Sequence, residues 1–263
     1  MKTAFNINLD SLGTKTFSLM DRFICLADKY GFKYTIFVCG QDIKEREPYM
    51  AVRRWSLAGH EIANHSHTHP FDFGRYGFRD TEKEVMTAHK RLSDCAMKPT
   101  VGFTSPCWTP PPYLFYILER EGYKYDASIM PSPLLIPIHI KTRITNGFDI
   151  PLQFRNSFSP REPYRIGKLT ELPLPTTSKR IPCWHTMRFA LGEKFKGIVR
   201  ASYGDKFYYL MHPADLMDSE DFPGLKIERI AIPYKEKLAI LEDMIQFILS
   251  STDETTTMEG LCE

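Results

Sequence analysis

Three histidines lie within five residues in the segment 64–70, which reads NHSHTHP. Imidazole nitrogens are common ligands of zinc and of similar divalent ions, so this cluster indicates a metal site. His65 and His69 are four residues apart and can share one helical turn, in which case His67 points elsewhere. If the backbone instead stays extended, all three side chains lie on one face.

A carboxylate is the usual partner of two imidazoles around a catalytic ion that keeps an open position. Asp10 is the candidate, because it follows the first predicted strand. Its alternative role is structural, as a turn aspartate before Ser11 and Gly13. The histidine cluster favours the interpretation of Asp10 as a metal ligand.

His212 ends the segment YLMHP at residues 209–213, directly after a predicted strand. Histidine titrates near neutral pH, as a general acid requires. A His-Pro pair at a strand end is more often structural than catalytic, but here it accompanies Asp10 and the histidine cluster. We therefore predict a catalytic role for His212.

The elements that must position these residues alternate between strand-like and helix-like segments, which is the pattern of an α/β fold with parallel strands and crossover helices. The carboxyl ends of parallel strands lie on one face of a barrel, so residues that follow the strands are expected to share one site. The predicted strands are residues 3–9, 33–39, 60–64, 100–103, 123–129, 169–174 and 207–211, and the predicted helices are residues 19–30, 49–58, 79–91, 112–121, 187–196 and 235–250.

The length of 263 residues predicts one domain over residues 1–263, with an irregular insertion around 131–168 that is rich in Pro, Arg and aromatic residues. A net charge of +2 gives no reason to expect nucleic acid as a partner. The sequence shows neither a secretory signal nor a membrane span, and its six cysteines form no CxxC pair, so we expect a cytoplasmic protein with reduced thiols. The sequence does not indicate an oligomeric state.

Five segments resemble the motifs of the polysaccharide deacetylase family, also called the NodB-homology domain or carbohydrate esterase family 4. In chain order they are residues 5–13 (FNINLDSLG), 58–70 (AGHEIANHSHTHP), 101–111 (VGFTSPCWTPP), 122–132 (GYKYDASIMPS) and 208–213 (YYLMHP). The resemblance implies a distorted (β/α)7 TIM-like barrel and a carbohydrate or glycolipid substrate. It further implies a divalent ion, with zinc as the first expectation, on Asp10, His65 and His69, with His67 as a spacer. The implied reaction is attack of metal-activated water on an N-acyl carbonyl of an amino sugar, with His212 protonating the leaving amine.

Two positions depart from the family pattern. Asn8 occupies the position of the catalytic base, where an amide orients water but takes no proton at neutral pH. Thr104 replaces the arginine expected to tether that base. A changed site could use Asp126 or Glu171 as the base, and a less favoured register places Asp10 at the base and Ser11 at the metal. The same departures keep open two alternatives, an inactive carbohydrate-binding protein and an amidohydrolase that acts on a non-sugar amide.

The third-motif segment is expected to border the pocket through Pro106, Cys107 and Trp108. A small structural residue under the metal is the favoured interpretation of Cys107, because a nucleophilic thiol needs a neighbouring base or positive field. Four aromatic residues are candidates to stack on a sugar ring, or else belong to the core or rim. They are Phe71, Phe73, Trp108 and Trp184.

Overall fold

The computed structural model of the protein describes residues 1–11, 13–134, 154–223 and 228–263. Within these residues nine strands form one sheet, and the α-helices whose two ends are both described number seven. The strands are β1 (Lys2–Asn8), β2 (Tyr34–Val38), β3 (Glu61–Asn64), β4 (Gly102–Phe103), β5 (Tyr125–Asp126), β6 (Tyr164–Ile166), β7 (Leu169–Glu171), β8 (Lys206–Met211) and β9 (Glu254–Thr256). The helices are α1 (Lys15–Tyr30), α2 (Arg46–Leu57), α3 (Phe78–Ala96), α4 (Leu114–Arg120), α5 (Thr186–Leu191), α6 (Lys194–Ala201) and α7 (Tyr234–Leu249).

A series of seven parallel strands follows the order β7, β5, β4, β3, β2, β1, β8 across a curled sheet. Each of them overlaps one predicted strand, so the prediction of a distorted (β/α)7 barrel is confirmed. The two additional strands are short. β6 pairs antiparallel with β7 at the sheet edge, and β9 pairs parallel with the start of β1.

The barrel is distorted because the described parts of β7 and β8 do not pair with each other. The chain that leaves β7 fills the gap instead. Trp184 forms a parallel bridge with Leu210 of β8, and the hydroxyl of Tyr208 donates a hydrogen bond to the carbonyl oxygen of Leu172 at 3.2 Å. Hydrogen bonds across this seam therefore replace an eighth strand.

Alternate side chains along β1 belong to two different layers of the core. Phe5 and Ile7 belong to the outer cluster, where α1 contributes Phe17 and Met20, whereas Ala4 belongs to the inner cluster of the barrel. Successive side chains of a strand point to opposite faces, so one strand serves both layers. Each fully buried Phe or Met stabilises the fold by roughly 1.5–3 kcal/mol.

The amino-terminal end of the barrel is closed around the buried carboxylate of Glu61. This carboxylate accepts hydrogen bonds from the hydroxyls of Thr35 and Tyr125, each at 2.7 Å. The backbone N–H of Glu259, in the carboxy-terminal segment, also donates to it at 3.0 Å. The Glu61 carboxylate is therefore occupied with closing this end of the barrel.

Several predicted elements differ from the structure in extent, and two of these differences have a clear local cause. The single helix expected over residues 187–196 is divided into α5 and α6 at Gly192, whose φ of 56° ends α5. The strand expected over residues 123–129 is limited to Tyr125 and Asp126. Beyond it, Ser128 turns its backbone N–H to the Asp126 carboxylate at 2.9 Å, and this local bond competes with the strand ladder.

The insertion predicted around residues 131–168 lies partly outside the described residues. Its described flanks are tied together by Arg180, whose guanidinium donates hydrogen bonds to the carbonyl oxygens of Pro131, Ser157 and Ser159. Among the residues that the structure describes, no helix is both long and apolar enough to cross a bilayer.

Candidate functional site

The side chains that could carry out chemistry follow the carboxyl ends of three strands in the same part of the sheet, β3, β1 and β8. Asp10 lies two residues after β1, His65 directly follows β3 and His212 directly follows β8. One donor atom from each of Asp10, His65 and His69 lies within 4.8 Å of the others. Oδ1 of Asp10 is 3.6 Å from Nε2 of His65 and 3.7 Å from Nε2 of His69. The structure thus brings together the three residues proposed from the sequence as metal ligands.

His65 is oriented by two backbone contacts. Its N–H donates to the carbonyl oxygen of Val38 at 3.1 Å, and its Nδ1 is 2.8 Å from the carbonyl oxygen of Thr104. A carbonyl only accepts, so Nδ1 carries the proton and the lone pair of Nε2 faces Asp10. Burial lowers the pKa of His65. Both effects favour the neutral imidazole that a metal requires.

His69 reaches the same point because the loop after β3 is neither helical nor extended. Ser66 and His69 both adopt left-handed backbone conformations, with φ of 66° and 54°. The hydroxyl of Ser66 accepts the N–H of His69 at 3.1 Å, and the Glu84 carboxylate accepts the N–H groups of His67 and Thr68, each at 2.8 Å. These bonds replace the helical turn that the spacing suggested.

His67 points away from the other two histidines and towards Gly40. A Cβ atom at Gly40 would lie 2.7 Å from Nδ1 of His67, so only glycine allows this packing. His67 therefore points away from the site, as the helical arrangement predicted, although the loop itself is not a helical turn.

Asp10 carries a negative charge in this setting. Burial raises its pKa, but the nearby imidazoles of His212, His65 and His69 outweigh this and hold the pKa well below its usual range. The neighbouring Ser11 is occupied elsewhere, since its hydroxyl donates to Asp42 at 3.0 Å and accepts from Gln41 at 2.7 Å. The geometry therefore favours the register in which Asp10, not Ser11, is the ligand.

An open cleft of about 260 Å³ lies above these side chains. This volume is near the lower end of the range for small-molecule sites, roughly 300–1,000 Å³. Its walls combine the three donors with polar, aromatic and basic groups. The lining residues are Asn8, Asp10, His65, His69, Phe71, Ser105, Cys107, Trp108, His212, Ala214 and Arg229.

The expected substrate-binding residues divide between the cleft and the core. Cys107 and Trp108 line the cleft, whereas Pro106 is buried beneath them. Phe71 is a half-exposed rim residue, but Phe73 is fully buried against Phe103 and cannot stack on a sugar. Trp184 does not line the cleft and instead packs against Trp108, with ring centroids 5.5 Å apart.

Cys107 does not have the properties of a nucleophile. Burial and the charge of Asp10 raise the pKa of its thiol to about 12, so the thiol is protonated at neutral pH. Cys107 and Trp108 both have left-handed backbones, with φ of 54° and 53°. Two successive non-glycine residues in this region cost free energy, and such strain concentrates at binding sites.

The two departures from the family pattern have different surroundings. Asn8 lines the cleft beside Asp10, and its Oδ1 accepts a hydrogen bond of 3.4 Å from Asn6. The side chain of Thr104 is buried and donates to the carbonyl oxygen of Ala127 at 2.9 Å. Thr104 therefore acts on the site through its backbone contact with His65, and its side chain does not line the cleft.

Asp126 and Glu171, proposed from the sequence as replacement bases, are fully buried and do not line the cleft. Burial raises the pKa of Asp126 to about 6, and burial together with the charge of Asp126 raises that of Glu171 well above its usual range. Asp126 accepts the hydroxyl of Ser128 at 2.6 Å, and Ser128 accepts the N–H of Ser105 at 2.8 Å. This chain of contacts positions the loop of Cys107.

Two residues beside His212 were not predicted from the sequence. Asp215 is fully buried, and its carboxylate accepts the backbone N–H of His212 at 2.8 Å and lies 4.0 Å from Nδ1 of the same residue. Nε of Arg229 is 3.3 Å from Asp215, and Nε2 of His212 is 3.9 Å from Oδ2 of Asp10. The spacing of Asp215, three residues after His212, was a signal available in the sequence. Arg229 has no such local signal.

Comparisons with known proteins show which family and which fold the chain resembles. Residues 16–125 match the family model described as polysaccharide deacetylase, a range that includes His65, His69 and Thr104. Over 58 residues the chain is 41% identical to a chitooligosaccharide deacetylase from Sinorhizobium fredii, and this match covers 22% of the chain and 26% of that relative. The chain thus matches about a quarter of the relative's length.

Solved structures of the same fold cover nearly the whole chain. A CE4 family pseudoenzyme from Bacillus anthracis has a TM-score of 0.59 at 13% identity, covering 100% of this chain and 65% of that chain. The allantoinase PuuE has a TM-score of 0.63 at 14% identity, covering 99% of this chain and 88% of that chain. At these identities the likeness shows the shared barrel-like fold.

Proposed function

We propose that the chain, which matches the polysaccharide deacetylase family over residues 16–125, is a metal-dependent hydrolase that removes an acetyl or formyl group from the nitrogen of an amino sugar or glycan intermediate. The observation that carries the proposal is the convergence of Asp10, His65 and His69 at the floor of an open cleft that His212 also lines. We propose that the chain acts as one domain.

The residues at the floor of the cleft fit a divalent ion. They offer two imidazoles and one carboxylate, which is a donor set typical of catalytic zinc, and the cleft leaves room for further ligands. A bound ion of this kind would supply Lewis acidity toward the amide carbonyl and toward water. We propose zinc as the resident ion.

His212 is the residue that we assign to proton transfer. It lies across Asp10 from the two ligand histidines, and its backbone is fixed by Asp215. From this position its imidazole can protonate the leaving amine when the acyl carbonyl lies over the three donors. The other proposed bases, Asp126 and Glu171, are buried away from the cleft, so we propose that His212 also takes the proton of the attacking water.

Asn8 then has an orienting role. Its amide faces the cleft and can hold the attacking water by hydrogen bonds, although it cannot accept the proton. The loss of a dedicated base typically lowers the rate by about 10²–10⁴-fold. We therefore expect slow turnover compared with an enzyme that has a carboxylate at this position.

The second candidate function is binding of a carbohydrate without chemistry. Asn8 favours it, as does the fact that Asp10 is the sole carboxylate among the described residues that line the cleft. If the metal occupies Asp10, this cleft has no second carboxylate to serve as a base. Measured turnover separates the two candidates, since both predict sugar binding.

The proposed function can be tested by incubating the protein with N-acetyl and N-formyl amino sugars in the presence of added zinc or cobalt, and by measuring the free amine. We expect turnover by the wild type, loss of at least 100-fold in the variant His65→Ala, and near wild-type turnover in the control His67→Ala. Sugar binding without turnover in all three proteins would support the non-catalytic candidate instead.

All six cysteines of the chain are free thiols, and we propose the cytoplasm as the compartment because reduced thiols are characteristic of it. The substrate would then be a soluble or lipid-linked amino sugar that is available in this compartment.

A further inference from the structure

Arg229 places a permanent positive charge in the wall of the cleft. It belongs to the short turn Glu228–Ala231 and lines the same cavity as Asp10 and His212. A guanidinium stays protonated at all physiological pH values. The proposed hydrolysis, with the metal triad, His212 and Asn8, assigns no role to this cation.

The guanidinium is held at one edge only. Its Nε lies 3.3 Å from the buried carboxylate of Asp215, but without the geometry of a hydrogen bond. Asp215 is otherwise occupied by the N–H of His212 and by the hydroxyl of Thr186 at 3.2 Å. Within the described residues, the two terminal nitrogens of Arg229 have no hydrogen-bond partner. Asp215 thus anchors the side chain and leaves its outer edge for a ligand.

A cation that is only about one-fifth exposed has lost most of its hydration. The group that compensates this loss best is an oxyanion, because carboxylate and phosphate oxygens match the planar donor edge of arginine. The carboxylate of Asp10 does not fill this role when it coordinates a metal ion with His65 and His69. With Asp10 on a metal ion, the described residues that line the cleft offer no further carboxylate to the terminal nitrogens of Arg229.

We propose that Arg229 determines specificity by binding a carboxylate or phosphate group of the substrate, so that the amino sugar taken by this cleft is negatively charged. This inference rests on the proposed function, because it concerns the substrate of the same site. The acyl group would lie over the three donors, and the anionic substituent would lie on the side of His212 that Arg229 occupies.

The test uses the zinc-loaded full chain and three probes: neutral N-acetylglucosamine, its 6-phosphate, and N-acetylmuramic acid, which carries a carboxylate. Dissociation constants from calorimetry and rates of amine release are measured for the wild type, Arg229→Gln and Arg229→Lys. The control is Arg54→Gln, which removes the same charge from the exposed surface of α2. Thermal melting shows whether each variant is folded.

We expect the wild type to bind at least one anionic probe about tenfold more tightly than the neutral sugar, which is the size of one charge-assisted hydrogen bond. Arg229→Gln is expected to lose this preference with unchanged affinity for the neutral probe, and Arg229→Lys to keep part of it. A preference for one anionic probe over the other identifies the phosphate or the carboxylate as the group bound.

Equal affinities of the wild type for all three probes would overturn the proposal. So would an equal loss for all three in a folded Arg229→Gln variant, since this would mean that Arg229 only supports Asp215 and His212. An anionic preference without any amine release would contradict the proposed hydrolysis while leaving the role of Arg229 in place. Amine release from the neutral sugar, without any preference for an anionic probe, would support the proposed hydrolysis and contradict the role of Arg229.

Discussion

Nδ1 of His65 donates a hydrogen bond to the backbone carbonyl oxygen of Thr104 at 2.8 Å. This bond fixes the imidazole so that Nε2 faces Asp10. Any residue at position 104 supplies a carbonyl, so the contribution of this residue to the triad is independent of its side chain.

The variant Thr104→Val should therefore keep its metal affinity. It loses only the hydrogen bond from the hydroxyl to the carbonyl oxygen of Ala127, which leaves a buried acceptor unpaired and costs about 1–3 kcal/mol of stability. Zinc titration and urea unfolding measure the two effects separately. A tenfold loss of zinc affinity in the folded variant would show that the side chain, and not the backbone, supports His65.

His69 and His67 are two residues apart in one loop, but only His69 reaches Asp10. We expect His69→Ala to lower zinc affinity by about 100-fold or more, because a three-ligand site loses one ligand. His67→Ala should bind zinc as the wild type does, since the Nδ1 of His67 points to Gly40. Metal content by mass spectrometry after dialysis against zinc is the measurement. Similar zinc content in both variants would exclude the proposed triad.

Asn8→Asp should raise the turnover of N-acyl sugars. A carboxylate at this cleft position can take a proton from water, and a general base contributes about 10²–10⁴-fold. The side chain of Thr104 is buried behind the cleft wall, so we expect the gain without an arginine at position 104. The measurement is kcat/KM for amine release, and the control is Asn6→Asp, two residues earlier in β1. No gain, in a variant that still binds zinc, would argue for His212 as a sufficient base.

The free energy of unfolding is expected to depend on pH through His60, which does not line the proposed site. It is fully buried, and its Nδ1 accepts the backbone N–H of Tyr34 at 3.0 Å, which requires the neutral ring. Burial and the charge of Lys33 lower its pKa from 6.5 to about 4. Between these two pH values the unfolded chain binds more protons than the folded chain, so the contribution of His60 to stability is lost as the pH falls from 6.5 to 4.

This loss is on the order of 1–3 kcal/mol. Urea unfolding at pH 7.5 and pH 4.5 should therefore show a smaller decline in His60→Asn, which keeps an acceptor near Nδ1 but has no proton to bind. If the wild type and the variant lose the same free energy of unfolding between the two pH values, His60 is not a source of the pH dependence.

The arrangement of the barrel could be predicted from the sequence because its signals are local. Buried strands appear as apolar runs, and α1 ends at Gly31, where a φ of 74° favours glycine. Residues that follow parallel strands share one face, so the approach of Asp10, His65 and His69 was also predictable. Metal binding by these residues stays a prediction.

The sequence by itself determined the order of strands and helices and the residue types at the strand ends. Only the tertiary structure decided which of these side chains enter the cleft. Asp126 follows the same pattern as the cleft residues but is buried in a hydrogen-bonded chain with Ser128, whereas Arg229 reaches the cleft from a turn without any motif. The physical reason is that the direction of a side chain depends on contacts with residues distant in the chain, and no local periodicity records these contacts.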